Sequence, residues 1–89
     1  MIAIYITTEN MTEALHAEGR KRLEAAGAPE DAMKLHSVFG EEGKLQVFDI
    51  WDSQDAFDAF LGYLVPILEE LGIKLAGPPT IMPVVDLVQ

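Results

Sequence analysis

Two short runs with the two-residue rhythm of half-buried strands, Met33–Phe39 and Lys44–Trp51, face each other across Gly40-Glu41-Glu42-Gly43 at the centre of the chain. Side chains alternate faces along a strand, and two such runs joined by a glycine-bounded loop read as an antiparallel hairpin. Before the hairpin come a β-branched run at residues 1–7 and a helical stretch from about 10 to 26; after it come a second helical stretch and a closing strand run, Thr80–Val88. A central hairpin flanked by strand–helix and helix–strand units leaves few ways to fold. The order β-α-β-β-α-β is the split βαβ plan, an α+β ferredoxin-like arrangement with a four-stranded antiparallel sheet. Right-handed crossovers place both helices on one face of that sheet. At 89 residues the chain reads as one domain spanning 1–89.

The helix ends carry their own signals. Thr8, Asn10 and Thr12 are all suited to cap the first helix, and Gly27 stops it. Its inward stripe is Met11, Leu15, Gly19, Leu23 and Ala26, with His16 one position off that stripe as a boundary residue. Gly19 costs about 1 kcal/mol relative to alanine inside a helix, which suits a place where the backbone approaches the sheet. Asp52 or Ser53 caps the second helix, whose core face is Ala56, Phe57, Phe60, Leu61 and Leu64. Pro66 is expected to break it, leaving Ile67–Leu71 as a short third piece that ends at Gly72.

If Gly40–Gly43 is the loop, Phe39 pairs with Lys44, His36 faces Val47 and Lys34 faces Asp49. One face then carries Lys34, His36, Val38, Leu45, Val47, Asp49 and Trp51; the other carries Leu35, Ser37, Phe39, Gln46, Phe48 and Ile50. Ile2, Ile4 and Ile6 share a face in the first strand. The simplest arrangement turns the mixed face towards the helices, where it lines a cavity. The greasy face, isoleucines included, packs on a second copy, because an apolar four-stranded face exceeds the few hundred Å² that soluble monomers usually expose. A closed homodimer is the common solution.

The stretch from His36-Ser37-Val38-Phe39 through Lys44-Leu45-Gln46-Val47-Phe48-Asp49-Ile50-Trp51-Asp52-Ser53 to Phe57 and Phe60 resembles the dimeric α/β-barrel superfamily, and within it the small antibiotic-biosynthesis-monooxygenase-like proteins. A strand ending in tryptophan, a Ser or Asp cap, and a helix with phenylalanines three apart carry the likeness. The resemblance implies a homodimer with a cavity between sheet and helices in each subunit. It implies a cofactor-independent monooxygenase acting on a planar aromatic, polyketide-type molecule. Aromatic polyketide cyclases and non-catalytic ligand-binding or stress-associated proteins share the fold. In the oxygenases a tryptophan like Trp51 stands in the cavity with asparagine or histidine partners. This chain departs from them: its only asparagine is Asn10, near a helix start, and no histidine follows Trp51 where the haem-degrading branch would place its ligand.

Among the residues themselves, His36 near a carboxylate in an apolar cavity is suited to general-base work near neutral pH, with Asp49 diagonal to it as its orienting partner. Trp51 either fills core or stacks on a flat substrate. Tyr5 is a candidate hydrogen-bond donor to an enolate or phenolate, and Tyr63 a candidate for the cavity mouth. Lys34 opposite Asp49 reads as a cross-strand ion pair. The carboxylates Asp49, Asp52, Asp55 and Asp58 lack the glycine and distal glutamate of a calcium loop, and two histidines twenty residues apart give no zinc spacing, so no metal is expected. An electron-rich carbanion reacts with oxygen directly, so neither metal nor flavin is required and no cofactor is expected. With no cysteine there is no disulfide framework. A formal charge of −9 argues against nucleic acid or an anionic membrane as partner. The apolar N-terminal run is short and lacks a basic flank, so the chain reads as cytoplasmic. The partners expected are a second copy and a small aromatic ligand.

Overall fold

The computed structural model describes residues 1–89. Its elements are β1 (Ile2–Thr7), α1 (Glu13–Ala26), β2 (Met33–Phe39), β3 (Gln46–Trp51), α2 (Gln54–Leu71) and β4 (Thr80–Pro83). The sheet order is β2-β3-β1-β4, with every neighbouring pair antiparallel. Both helices cover one face. The β-α-β-β-α-β reading is the architecture observed. The last strand is shorter than expected, ending at Pro83, and no helix is long and apolar enough to cross a membrane.

Thr12 caps α1 by accepting from the backbone N–H of Leu15 at 3.0 Å, and Ser53 caps α2 by accepting from Ala56 at 3.1 Å. Gly27 and Gly72 close the two helices in the left-handed region, at φ 71° and 69°, where a side chain would be strained. Asn10 is no cap: its side chain donates to the Gly72 carbonyl and accepts from the Lys74 N–H, both at 2.8 Å, tying the start of α1 to the end of α2. Gly19 does not approach the sheet. A Cβ there would first meet Leu71 Cδ1 of α2, at an ordinary 3.7 Å.

Pro66 does not break α2, which is continuous from Gln54 to Leu71. The residues buried on either side of it, Phe57 and Phe60 before and Ile67 after, lie on one helix face and pack into one core. That shared burial offsets the roughly 3 kcal/mol that an interior proline costs. The expected third helical piece is therefore the last turn and a half of α2.

The hairpin register differs from the simplest expectation by two residues. Phe39 pairs with Gln46, Val38 with Val47, and His36 directly with Asp49. The loop is longer because Leu45 is drawn out of the ladder: its N–H donates to the Met11 carbonyl at 3.1 Å and its carbonyl accepts from the Thr8 hydroxyl at 2.7 Å. A shift of two preserves parity, so the mixed face still meets the helices. Lys34 sits at an irregularity between Met33 and Leu35 and reaches Asp52 at 3.4 Å, not Asp49.

The isoleucines of β1 go the opposite way from the expectation. Ile4 pairs with Asp49 and Ile6 with Val47, and directly opposed residues share a face. Ile4 and Ile6 therefore lie buried under the helices with Leu23, Trp51, Phe57, Phe60 and Ile67. The large apolar side chains on the uncovered face are Tyr5, Leu35, Phe39, Phe48, Ile50 and Met82, of which all but Phe48 and Ile50 are exposed. Because Pro66 is exposed and contributes nothing to the core, Pro66→Ala should raise the unfolding free energy by about 2 kcal/mol, the helix-interior gain less the entropy returned to the unfolded chain. Chemical denaturation checks this; no change would mean that the helix already accommodates the ring at no cost.

Candidate functional site

A cavity of about 210 Å³ lies between the sheet and the helices. Its wall is mainly aliphatic and aromatic, and the polar side chains reaching it are Thr8, His16, Arg20, His36 and Asp49. Three elements bring the ionisable groups together: α1 supplies His16 and Arg20, β2 supplies His36, and β3 supplies Asp49.

Asp49 is only 4% exposed. A buried carboxylate is costly unless hydrogen-bonded, and this one is held from both sides. Oδ1 lies 2.6 Å from Nδ1 of His36, and Oδ2 accepts from the indole N–H of Trp51 at 3.3 Å. The direct cross-strand pairing makes the first contact possible. His36 in turn meets His16 through Nε2 of each ring, at 3.3 Å. The ring planes are within 16° of parallel, and the centroids are 5.5 Å apart. That separation is close to the Nε2···Nε2 distance plus one ring radius on each side. The imidazoles therefore meet edge to edge through these nitrogens, not face to face.

His16 is held below the ordinary histidine range, first by burial and then by the nearby His36 and Arg20, with Asp49 opposing. Arg20 is paired with Glu30. The four groups thus form a line: Trp51, Asp49, His36, His16.

The residues singled out in the sequence divide into two groups. His36 and Asp49 come together on the cavity wall. Trp51 is fully buried between Phe57 and Phe60, with centroids at 5.8 and 4.9 Å, and does not line the cavity; it touches the site only through its N–H on Asp49. Tyr5 is on the opposite face of the sheet, 6.5 Å from the Phe39 ring and hydrogen-bonded to Gln46. Tyr63 is exposed on α2, outside the cavity lining, although Leu64 and Val65 beside it contribute. His16 is the residue the sequence reading assigned to a boundary. Its position is three residues before Gly19 and seven before Leu23, the spacing of one helix face, and widening the apolar stripe to include polar members would have found it.

No family model and no curated protein matches the sequence. Solved structures do match in three dimensions along nearly the whole chain. The cofactor-independent oxygenase SnoaB from Streptomyces nogalater, in a variant form, is 14% identical with a TM-score of 0.67, covering 98% of this chain and 95% of that one. A candidate antibiotic biosynthesis monooxygenase from Deinococcus radiodurans is 17% identical with a TM-score of 0.64, over 100% and 97%. Another candidate of that name, from Caulobacter crescentus, is 26% identical with a TM-score of 0.54, over 91% and 85%. At these identities the likeness is one of fold: the chain has the ferredoxin-like architecture of structures described as antibiotic biosynthesis monooxygenases.

Proposed function

We propose that the protein is a cofactor-independent oxygenase acting on a small planar aromatic carrying an acidic O–H or C–H. The observation that carries this reading is the His36–Asp49 pair, buried by hydrogen bonds on one side and opening on the other into an apolar cavity. A base in such a place removes a proton, and the apolar wall leaves the resulting anion poorly solvated and electron-rich. The anion gives electrons to dioxygen. One oxygen atom ends on a ring carbon as a carbonyl and the other leaves as water with two substrate hydrogens, the acidic one and one from that carbon. A ring C–H of a phenol or quinol, or the methylene of an anthrone, is thereby oxidised with the substrate as sole reductant. The similar fold of SnoaB, described as a cofactor-independent oxygenase, favours the same class of reaction.

The cavity also bears on size. At about 210 Å³ it is larger than a benzene-binding protein cavity of roughly 150 Å³ but by less than half. One- and two-ring phenols and quinols fit it better than three fused rings. Trp51 serves in this scheme by fixing the Asp49 carboxylate.

The second part of the proposal is a homodimer formed through the uncovered sheet face. Leu35, Phe39, Tyr5 and Met82 are each between 39% and 57% exposed there, apolar surface fit for a second copy. Oxygen uptake with a panel of one-, two- and three-ring phenols, quinols and anthrones tests the reaction. His36→Ala should lower turnover by at least about 100-fold; uptake unaffected by that change excludes His36, and tight binding of a panel member without uptake would leave a ligand-binding protein. Sedimentation tests the assembly: wild-type protein should run as a dimer, and Leu35→Glu should run as a folded monomer.

A further inference from the structure

We propose that His16 and His36 form a two-histidine proton relay in which the free basic nitrogen, Nδ1 of His16, is where the substrate's proton enters. The inference rests on the proposed proton abstraction and refines it by naming the group that the proton reaches first.

Proton counting leads there. Asp49 as a carboxylate only accepts, so Nδ1 of His36 must carry the hydrogen in their 2.6 Å contact. A neutral imidazole has one N–H, which leaves Nε2 of His36 as a bare acceptor. The 3.3 Å contact to Nε2 of His16 then requires the hydrogen to sit on the His16 side. His16 has spent its N–H, and its Nδ1 is bare. That atom makes no hydrogen bond within the protein, yet no buried side-chain nitrogen is left unpaired, so Nδ1 is reachable from outside the packed interior. The lone pair of His36, by contrast, is covered by His16.

The charges favour transfer in one direction. His16 faces His36 and Asp49 from the sheet and Arg20 from its own helix, while α2 contributes only apolar side chains to the wall. Burial, His36 and Arg20 all disfavour charge on His16. A proton taken at Nδ1 of His16 is therefore matched by release of its Nε2 proton to Nε2 of His36. The positive charge then rests on His36, against the Asp49 carboxylate. No proton is gained or lost in the step: the substrate becomes an anion, His16 returns to neutrality as the other tautomer, and His36 becomes imidazolium. His16 is also the one residue that lines both the cavity and an open depression formed with Glu13, Val38, Phe39, Gly40 and Leu45. That second exposure gives the relay an outlet to solvent between turnovers.

Long-range proton–nitrogen NMR on protein with ¹⁵N-labelled histidine decides the arrangement, at a pH where both rings are neutral. His16 should carry its hydrogen on Nε2 and His36 on Nδ1; the reverse tautomer on either ring overturns the relay, whatever the activity. His16→Gln keeps an N–H donor for His36 but no basic nitrogen. With a phenol that the wild type oxidises, it should lower kcat by about 100-fold or more, leave KM within a few-fold, and leave the His36 tautomer unchanged. Wild-type kcat in His16→Gln alongside an inactive His36→Ala would overturn the relay and spare the proposed reaction. Expected tautomers without oxygen uptake from any substrate would instead count against the proposed reaction, and with it against His16 as proton acceptor.

Discussion

Everything at the site depends on the pairing of β1 with β3 that sets Ile4 opposite Asp49. Directly opposed residues in an antiparallel sheet share a face. This single register therefore commits Ile4, Ile6, Asp49 and Trp51 to the side covered by the helices. A slip of one residue would put Tyr5 on the same face as Asp49, so that either the carboxylate turns to the open face and Phe48 lies beneath the helices, or Tyr5 takes the place of Ile4 there. The core and the polar line are thus built by the same choice.

That choice obliges the core to accommodate a carboxylate. An unpaired buried charge costs several kcal/mol, and removing one partner of a buried pair typically costs about 3–5 kcal/mol. Here the compensation comes from neighbours that need partners themselves. The indole N–H of Trp51 would be unsatisfied in an aromatic core, and Asp49 accepts from it. His36 meets the other oxygen through Nδ1. The core tryptophan and the candidate base are connected through one side chain. Trp51 consequently belongs to the packing and to the site at once, although it never reaches the cavity.

The uncovered face follows from the same register. With the isoleucines turned inward, Leu35, Phe39, Tyr5 and Met82 are left to solvent in a single chain. The cavity, in contrast, owes its existence to the helices. Leu15, His16, Gly19 and Leu23 of α1 and Phe57, Phe60 and Leu64 of α2 hold the layers apart around it. A side chain at Gly19 would meet α2 only at van der Waals distance, so this glycine widens the cavity wall without being forced by a clash.

Element order, helix caps and the parity of the hairpin were legible in the sequence because they depend on neighbours a few residues away. Period-two alternation, Ser53 before a helical stretch and Gly27 or Gly72 after one are local signals with local causes. His36 and Asp49 could be placed on one face for the same reason. Their direct pairing could not, since Thr8 and Met11, more than thirty residues from Leu45, draw that residue out of the ladder. Distance in sequence likewise hid the fate of Ile4, the continuity of α2 through Pro66 and the meeting of His16 with His36. Local patterning determined which residues share a strand face or a helix stripe. Only the folded chain decided which face was buried and which imidazoles met, because those outcomes are set by competition among contacts that no single segment contains.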